Sequence, residues 1–385
     1  MSLLDHFATE LDELKRQGNF RQFTQNVQHG RFITIQNKTM LNLASNDYLG
    51  LAADIDLRQE FLDYYPLERS YFSSSSSRLL TGNFDEYEQL ENSLSQAFGG
   101  RAALLFNSGY HMNIGILPAV ADSKTLILAD KLVHASMIDG IRLSGAQYVR
   151  YRHNDFQHLE QLLQKYHDDD QIERIIVVTE SIFSMDGDET DLTALVQLKK
   201  RFAKTMLYVD EAHSIGVRGQ QGLGCAEQYN VIQEIDFLVG TLGKALAAVG
   251  GYIICHPIIK DYLINKMRPL IFSTAQPPIV MAWANFIFKK VLMAQSQREH
   301  LKNISQYLQQ AVVQKGYVSP SPSHIIPVIV GESQATIDKA KQVQESGFYA
   351  MPVRPPTVPK NSSRLRISLT SMVEQHELEA LVSFL

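Results

Sequence analysis

Between Arg101 and Cys255, short apolar segments alternate with longer segments of helical periodicity. A strand that is apolar along its whole length needs cover on both faces, as in a mostly parallel sheet between two helical layers. The alternation therefore predicts a three-layer α/β/α domain. The predicted strands are Ala102–Phe106, Thr125–Ala129, Tyr148–Tyr151, Ile175–Thr179, Met206–Val209, Phe237–Val239 and Gly251–Ile254.

Polar side chains follow two of these strands directly. Asp210 and His213 come after one strand, and Thr241 and Lys244 come after the next. In an open parallel sheet, ligands bind outside the carboxyl ends of the strands. We therefore expect these four side chains to meet in one crevice, although 34 positions (244 − 210) separate Asp210 from Lys244.

The length of 385 residues favours one large domain and one smaller domain. The pattern predicts an N-terminal arm (1–44), a large domain (45–275), and a linking helix with a small α/β domain (276–385). The linking region is predicted to be helical over 279–314, and residues 3–17 have the spacing of an amphipathic helix.

Composition narrows the class of protein. The net charge of −5 does not favour binding to nucleic acid or to an anionic membrane. No apolar run reaches the ~20 residues that a bilayer span requires. The two cysteines, Cys225 and Cys255, form no CxxC pair, which argues against a zinc site and fits a reducing compartment. The sequence thus predicts a cytoplasmic protein without a metal site.

A run of five serines, Ser73–Ser77, precedes Arg78. A polar linker and a structured loop bordering a site are about equally compatible with this composition. Strong helical periodicity resumes soon afterwards, at 85–98.

Lys244 and Asp210 have ordinary explanations when each is considered alone. A loop lysine is commonly a surface group, and an aspartate after a strand commonly caps a helix. Together they match the needs of pyridoxal phosphate. Its Schiff-base lysine must be desolvated and positioned, and its pyridine nitrogen needs a carboxylate partner.

Other candidates lie near predicted strand ends. Ser108 and Gly109 open a helix, and helix N-termini bind phosphate. His134 stands where it could stack on a planar ring, or simply pack on the sheet. His213 could contact a ligand's phenolic oxygen, or serve as a structural residue, and Ser184 lies just past a strand end.

Two other classes of protein fit the sequence less well. The stretch Asp210-Glu211-Ala212-His213 spells the acidic box of some ATP-driven helicases. Those enzymes also need a phosphate loop, G-x-x-x-x-G-K-[ST]. Here Gly240–Ala245 has the wrong spacing, lacks a hydroxyl after the lysine, and follows the acidic box. A non-catalytic scaffold would not need four converging polar strand ends.

Seven stretches spread along the chain form a recognisable set of motifs: Leu43–Gly50, Ser77–Asn83, Glu180–Asp188, Val209–Gly216, Thr241–Lys244, Val353–Pro359 and Ser363–Ile367. In these motifs, and over nearly its whole length, the chain resembles the α-oxoamine synthases, which are fold-type I pyridoxal-phosphate enzymes. The resemblance implies a large pyridoxal-phosphate domain, a smaller C-terminal domain and a homodimer. Relatives commonly carry glycines where this chain has Ser73–Ser77, so the backbone of that loop is expected to follow a different path.

The resemblance also implies roles for individual residues. Lys244 is similar to the Schiff-base lysine, Asp210 to the partner of the ring nitrogen, and His134 to the stacked imidazole; these three are the implied catalytic residues. His213 and Ser184 are similar to the partners of the phenolic oxygen. The phosphate-binding positions are Gly109, Tyr110 and Thr241, with Ser273 and Thr274 supplied by the neighbouring subunit.

The implied substrate-contacting positions are Arg21, Asn46, His134, Thr357 and Arg366, the last as the partner of the amino acid's carboxylate. Within the family that the chain resembles, the stretch Arg354–Pro359 favours the enzyme of biotin biosynthesis that joins L-alanine to a pimeloyl thioester with loss of carbon dioxide. The carrier, coenzyme A or a carrier protein, stays open. The alternative is a sister enzyme with another pair, such as glycine and an acetyl thioester.

Overall fold

The computed structural model describes residues 3–385. The strands are β1 (Val27–His29), β2 (Phe32–Ile35), β3 (Lys38–Asn42), β4 (Ala102–Phe106), β5 (Thr125–Asp130), β6 (Gln147–Tyr151), β7 (Arg174–Glu180), β8 (Thr205–Asp210), β9 (Phe237–Thr241), β10 (Gly251–Cys255), β11 (Ile325–Gly331), β12 (Phe348–Tyr349), β13 (Met351–Val353) and β14 (Ser363–Ser368). The α-helices are α1 (Asp5–Arg16), α2 (Ile55–Tyr64), α3 (Asp85–Ala97), α4 (Gly109–Val120), α5 (Ala135–Ser144), α6 (Phe156–His167), α7 (Leu192–Arg201), α8 (Cys225–Gln228), α9 (Pro257–Lys266), α10 (Arg268–Ile271), α11 (Pro278–Leu292), α12 (Gln295–Gln314), α13 (Ser333–Glu345) and α14 (Gln375–Phe384).

The chain divides into two compact units. The large unit comprises Asp47–Ser184 and Glu189–Glu299. The small unit comprises the N-terminal segment through Asn46, Met185–Asp188 and His300–Leu385. The predicted boundaries at residues 44 and 275 stay predictions about how the chain folds into domains.

The large unit contains one seven-stranded sheet with the order β4-β10-β9-β8-β7-β5-β6. Strand β10 runs antiparallel to both of its neighbours, and the other pairs are parallel. All seven strands that the apolar pattern predicts belong to this sheet. The carboxyl ends of β5, β7, β8 and β9 therefore lie along one edge.

Helices cover both faces of this sheet, and the strand residues that point to either face are therefore buried. One face packs Ile127, Ile176 and Val178 against helices α4 and α5 in a single apolar cluster. Leu128 and Val177, whose side chains point to the other face of the sheet, are also fully buried. The predicted α/β/α fold with a mostly parallel sheet is thereby confirmed.

The small unit contains two sheets. One has the order β1-β2-β3-β12, with β12 parallel to β3, and the other has the order β11-β14-β13 and is antiparallel. The N-terminal arm thus pairs with a C-terminal strand. The predicted helix at residues 3–17 is present as α1, and no residue of α1 is buried.

Two local expectations can be compared with the structure. The region 279–314 forms two helices and not one. Helix α11 ends at Leu292, and α12 begins at Gln295. The serine run is a structured loop: Ser74 Oγ donates to Ala275 O at 2.6 Å, and Ala275 N donates to Ser76 O at 2.8 Å. Among residues 3–385, no helix has the length and apolar character to cross a membrane.

Helices α4 and α5 are in close contact at Gly140, where a Cβ atom would lie 2.4 Å from the backbone oxygen of Asn113. We expect Gly140→Ala to lower the free energy of unfolding by ~1–3 kcal/mol, because a backbone atom cannot yield as a side chain can. Urea denaturation measures this. The control is Gly115→Ala, which meets the mobile end of Met267 and should lose less. Equal losses in the two variants would refute the packing argument.

Candidate active site

Seven of the residues predicted for the site line one cavity of about 180 Å³ in the large unit. The cavity lies where β8 and β9 end and where α4 begins. The convergence follows from the parallel sheet, since successive strands deliver their following residues to the same edge. The predicted residues in this cavity are Gly109, Tyr110, His134, Asp210, His213, Thr241 and Lys244.

Asp210 is the last residue of β8 and is only 5% exposed. Its carboxylate accepts hydrogen bonds from Asn113 Nδ2 at 3.0 Å and from Ala212 N at 2.9 Å. A carboxylate in a protein interior needs hydrogen-bond donors of this kind, and Asp210 has two. Asp210 is therefore suited to partner a cationic or N–H-bearing group in the cavity.

Lys244 and His213 touch in this cavity. Lys244 Nζ lies 2.7 Å from His213 Nε2, and His213 Nδ1 lies 2.7 Å from the hydroxyl of Tyr48. Tyr48 is fully buried. The amine, imidazole and phenol thus form one hydrogen-bonded row, along which a proton at Nζ can be shared with the imidazole.

His134 caps helix α5, and its Nδ1 lies 2.8 Å from Ser136 Oγ. Its backbone N–H donates to Glu180 Oε1 at 2.6 Å. Burial lowers the pKa of His134, with a smaller lowering from Lys244 and opposing contributions from Asp210 and Asp139. The ring is therefore held toward its neutral form.

Glu180 is the residue of β7 that pairs with Asp210 of β8. Burial, and secondarily the charge of Asp210, raises the pKa of Glu180 well above its usual range. Two adjacent buried carboxyl groups cannot both ionise cheaply. Glu180 is accordingly the member of this pair that keeps its proton.

The N-terminus of α4 supplies an anion site. Ser108 caps the helix by accepting from His111 N, and the N–H groups of Gly109 and Tyr110 have no hydrogen-bond partner among residues 3–385. Unpaired N–H groups at the start of a 12-residue helix attract phosphate. Thr241 stands beside them, its hydroxyl donating to Gly250 O at 3.0 Å.

Three predicted cofactor ligands lie outside the lining of this cavity. Ser184 is half-buried in the turn that follows β7. Ser273 is half-buried and Thr274 is exposed, in the segment after α10. Thr274 O accepts from Asn107 Nδ2 at 2.8 Å.

The predicted substrate residues other than His134 belong to the small unit. Arg366 donates to Ser368 Oγ and, at 3.3 Å, to Asn46 Oδ1. Arg21 donates to Thr357 Oγ1 at 3.1 Å. The structure thus brings these four residues together as two pairs, and their roles stay predictions.

Sequence reasoning missed four residues that contact the predicted ones: Tyr48, Asn113, Ser136 and Glu180. Two of them carried a usable signal. Asn113 follows Gly109 by four positions and so shares its helix face. Glu180 ends the strand next to the one that ends in Asp210. Tyr48 and Ser136 reach the site through tertiary packing that spacing does not reveal.

The cavity fits pyridoxal phosphate, the cofactor that the resemblance implies. Within residues 3–385, the cavity offers an amine for the aldehyde, a buried carboxylate for the ring nitrogen, and unpaired N–H groups at a helix start for the phosphate. The residues that would hold it are Lys244, Asp210, His213, His134, Gly109, Tyr110 and Thr241.

Comparisons with known proteins agree with this chemistry. The sequence model of the family "Aminotransferase class I and II" matches residues 38–385. A protein of Pasteurella multocida (strain Pm70), provisionally named 8-amino-7-oxononanoate synthase, is 56% identical over 384 residues, covering 100% of this chain and 99% of that protein.

Solved structures share the fold. A variant of serine palmitoyltransferase from S. paucimobilis, with a bound pyridoxal phosphate–myriocin aldimine, superposes with a TM-score of 0.91 at 27% identity and covers 100% of this chain and 97% of its own. The 8-amino-7-oxononanoate synthase of Francisella tularensis superposes with a TM-score of 0.76 at 26% identity, and it covers 90% of this chain and 96% of its own.

Replacement of the lysine tests the site directly. We expect Lys244→Ala to lower turnover by roughly 10²–10⁴-fold or more, because both the aldehyde-reactive amine and a proton carrier are lost. Borohydride makes a bond between a lysine and an aldehyde permanent. After reduction with pyridoxal phosphate, wild-type protein should gain the mass of one cofactor, and Lys244→Ala should gain none.

Lys260→Ala is the matched control, since Lys260 Nζ pairs with Glu91 at 2.8 Å outside this cavity. That variant should be labelled like wild type. Labelling of Lys244→Ala at the wild-type level would contradict the assignment.

Proposed function

The chain belongs to the aminotransferase class I and II family of pyridoxal-phosphate-dependent transferases, and we propose that it condenses L-alanine with a pimeloyl thioester. Carbon dioxide and the free thiol carrier leave, and 8-amino-7-oxononanoate, a biotin precursor, is formed. The observation that carries this proposal is the 56% identity, over essentially the full length of both chains, to a relative named for that product.

When bound, the cofactor supplies an aldehyde that captures the amino acid and a ring that accepts electrons from its α-carbon. The chain supplies the proton carriers. Lys244 Nζ is the base for the α-proton, and His213 Nε2, at 2.7 Å, shares the proton that Nζ takes up. Asp210 stabilises a positive charge at the ring nitrogen because its carboxylate is buried and held by two donors.

Arg366 is proposed to bind the carboxylate of alanine. Its guanidinium is oriented by Ser368 and Asn46. A planar guanidinium can hold a carboxylate with two parallel hydrogen bonds, which fixes the plane of that group. Orientation of this kind decides which bond at the α-carbon breaks.

Arg21, Thr357 and Arg354 are proposed to recognise the acyl group. Burial, and then the nearby charge of Arg21, lowers the pKa of Arg354. Two cations that repel each other are both stabilised by an anion placed between them. The free carboxylate at the far end of a pimeloyl chain is such an anion, and acetyl groups lack it.

The protein is proposed to act as a homodimer in which Ser273 and Thr274 serve the partner's phosphate site. Within one chain, neither residue lines the cavity that contains Lys244. Phe272 is 71% exposed next to them, and Phe72 in the adjoining loop is 76% exposed. An exposed apolar surface of this kind favours association.

Side-by-side assays test the choice of substrates. We expect L-alanine with a pimeloyl thioester to exceed glycine with an acetyl or succinyl thioester by roughly 10²-fold or more in kcat/KM. Mass spectrometry identifies the product. If glycine with a short acyl thioester is the faster pair, the chain is a sister enzyme with the same cofactor chemistry.

The acyl assignment has its own test. Arg21→Ala should raise KM for the pimeloyl thioester about tenfold, because a charge-assisted hydrogen bond is lost. KM for the corresponding thioester whose far end is a methyl ester should not change. Arg16→Ala, on the exposed helix α1 where Arg16 pairs with Glu13, is the control and should behave as wild type. Equal effects of Arg21→Ala on acid and ester would contradict the role.

Mixed dimers test the contribution of the partner subunit. Lys244→Ala and the double variant Ser273→Ala/Thr274→Ala should each be weakly active alone. If the hydroxyls act across the interface, each mixed dimer contains one intact site. An equal mixture refolded together should then regain about a quarter of wild-type turnover. No gain on mixing would show that the hydroxyls act within their own subunit or not at all.

A further inference from the structure

A chain of buried polar groups runs behind the cavity of the large unit. The hydroxyl of Tyr208 donates to Asn113 Oδ1 at 2.5 Å, and Asn113 Nδ2 lies 2.9 Å from Ser136 Oγ. Ser136 Oγ in turn lies 2.8 Å from His134 Nδ1. Tyr208, Asn113 and Ser136 are each at most 2% exposed. The links among Tyr208, Asn113 and Ser136 are therefore shielded from water, and their donors and acceptors must match.

The orientation of the Asn113 amide is set by its two ends. Nδ2 lies 3.0 Å from Asp210 Oδ2, where an amide oxygen would face a carboxylate oxygen without a proton between them. At the other end, burial raises the pKa of Tyr208 well above its usual range, so the phenol keeps its proton and donates it. The NH₂ group therefore faces Asp210 and Ser136.

This orientation determines where the proton on His134 resides. Asn113 donates to Ser136 Oγ, so the hydroxyl hydrogen of Ser136 is left for His134 Nδ1. The backbone N–H of Ser136 also points to Nδ1, at 3.3 Å. A ring nitrogen that accepts from two donors carries no hydrogen of its own, so the proton lies on Nε2.

We propose that Asn113 and Ser136 are positioning residues that hold His134 as the neutral Nε2–H tautomer, which presents an N–H donor to an oxygen atom of the ligand in the cavity. The inference rests on the proposed function only for the identity of that ligand, an amino acid or an acyl group. The tautomer itself is a property of the chain.

The charged and titratable groups around His134 agree with a neutral ring. Asp210 and Asp139 favour the protonated imidazole, whereas burial and Lys244 oppose it, and the pKa of His134 is lowered on balance. Glu180 interacts with the backbone N–H of His134 and leaves the ring nitrogens alone. A neutral imidazole would also avoid repulsion with the pyridine nitrogen of a bound cofactor, which Asp210 would keep protonated.

Nitrogen-15 NMR of histidine-labelled protein tests the proposal, both without the cofactor and loaded with it. In wild-type protein at neutral pH, Nδ1 of His134 should be unprotonated and Nε2 should carry the proton. The signals of His134 are those missing from His134→Gln. His158 is an internal reference, because its Nδ1 accepts from Arg152 N at 3.0 Å in another part of the large unit.

Ser136→Ala removes the hydroxyl donor and keeps the backbone. The ratio of Nε2–H to Nδ1–H tautomer of His134 should fall roughly tenfold, because one net hydrogen bond to Nδ1 is lost. The signals of His158 should stay in place. Asn285→Ala, which removes a buried asparagine of helix α11 outside the cavity, is the control and should leave His134 unchanged.

A proton on Nδ1 of His134 in the wild type would overturn the proposal, as would an unchanged tautomer ratio in Ser136→Ala. If Ser136→Ala fails to fold, the wild-type spectrum still shows which ring nitrogen of His134 carries the proton. The tautomer ratio is then measured in Asn113→Ser instead. These spectra need no substrate, so a wrong choice of substrates leaves their outcome unaffected.

Discussion

The buried negative charge of Asp210 is the constraint on which the arrangement of the site depends. Placing an ionised carboxylate in a protein interior costs several kcal/mol unless donors surround it. Asn113 and Ala212 provide two donors, and the cavity leaves access for a third from a ligand. Burial, and secondarily the charge of Asp210, raises the pKa of the neighbouring Glu180, so this second carboxyl keeps its proton and adds no further negative charge. The site therefore attracts a ring with an N–H group, which is what pyridoxal phosphate offers.

The sheet makes this local arrangement possible. Strands β5, β7, β8 and β9 are parallel, so the segments that follow them gather at one edge. Helix α4 begins at the same edge, where the first N–H groups have no partner in the part of the chain that the structure describes. Amine, carboxylate, imidazoles and anion site thus come from distant parts of the sequence but from a single architectural feature. The same feature supplies the buried side chains that orient them.

Features of this site that depend on local sequence patterns could be predicted, and features that depend on tertiary packing could not. The strands could be predicted because a buried parallel strand is apolar along its whole length, and the lysine and aspartate because both directly follow such strands. His134 became a candidate because it lies between a strand and a helix, and a family motif added Arg366. Tyr48 and Ser136 could not be predicted, since their contacts depend on how helices and turns pack.

The break between α11 and α12 was missed because helical periodicity continues through 279–314. The serine loop could not be decided from composition, because its order comes from hydrogen bonds to Ala275, about 200 positions away.

The central claim is that Asp210 keeps the ring nitrogen of the bound cofactor protonated. Nitrogen-15 NMR of protein loaded with ring-labelled pyridoxal phosphate measures this directly. The ring nitrogen should be protonated in the wild type across neutral pH, and unprotonated in Asp210→Asn, whose neutral amide cannot stabilise the positive charge. An unprotonated ring nitrogen in the wild type, or a protonated one in Asp210→Asn, would contradict the account.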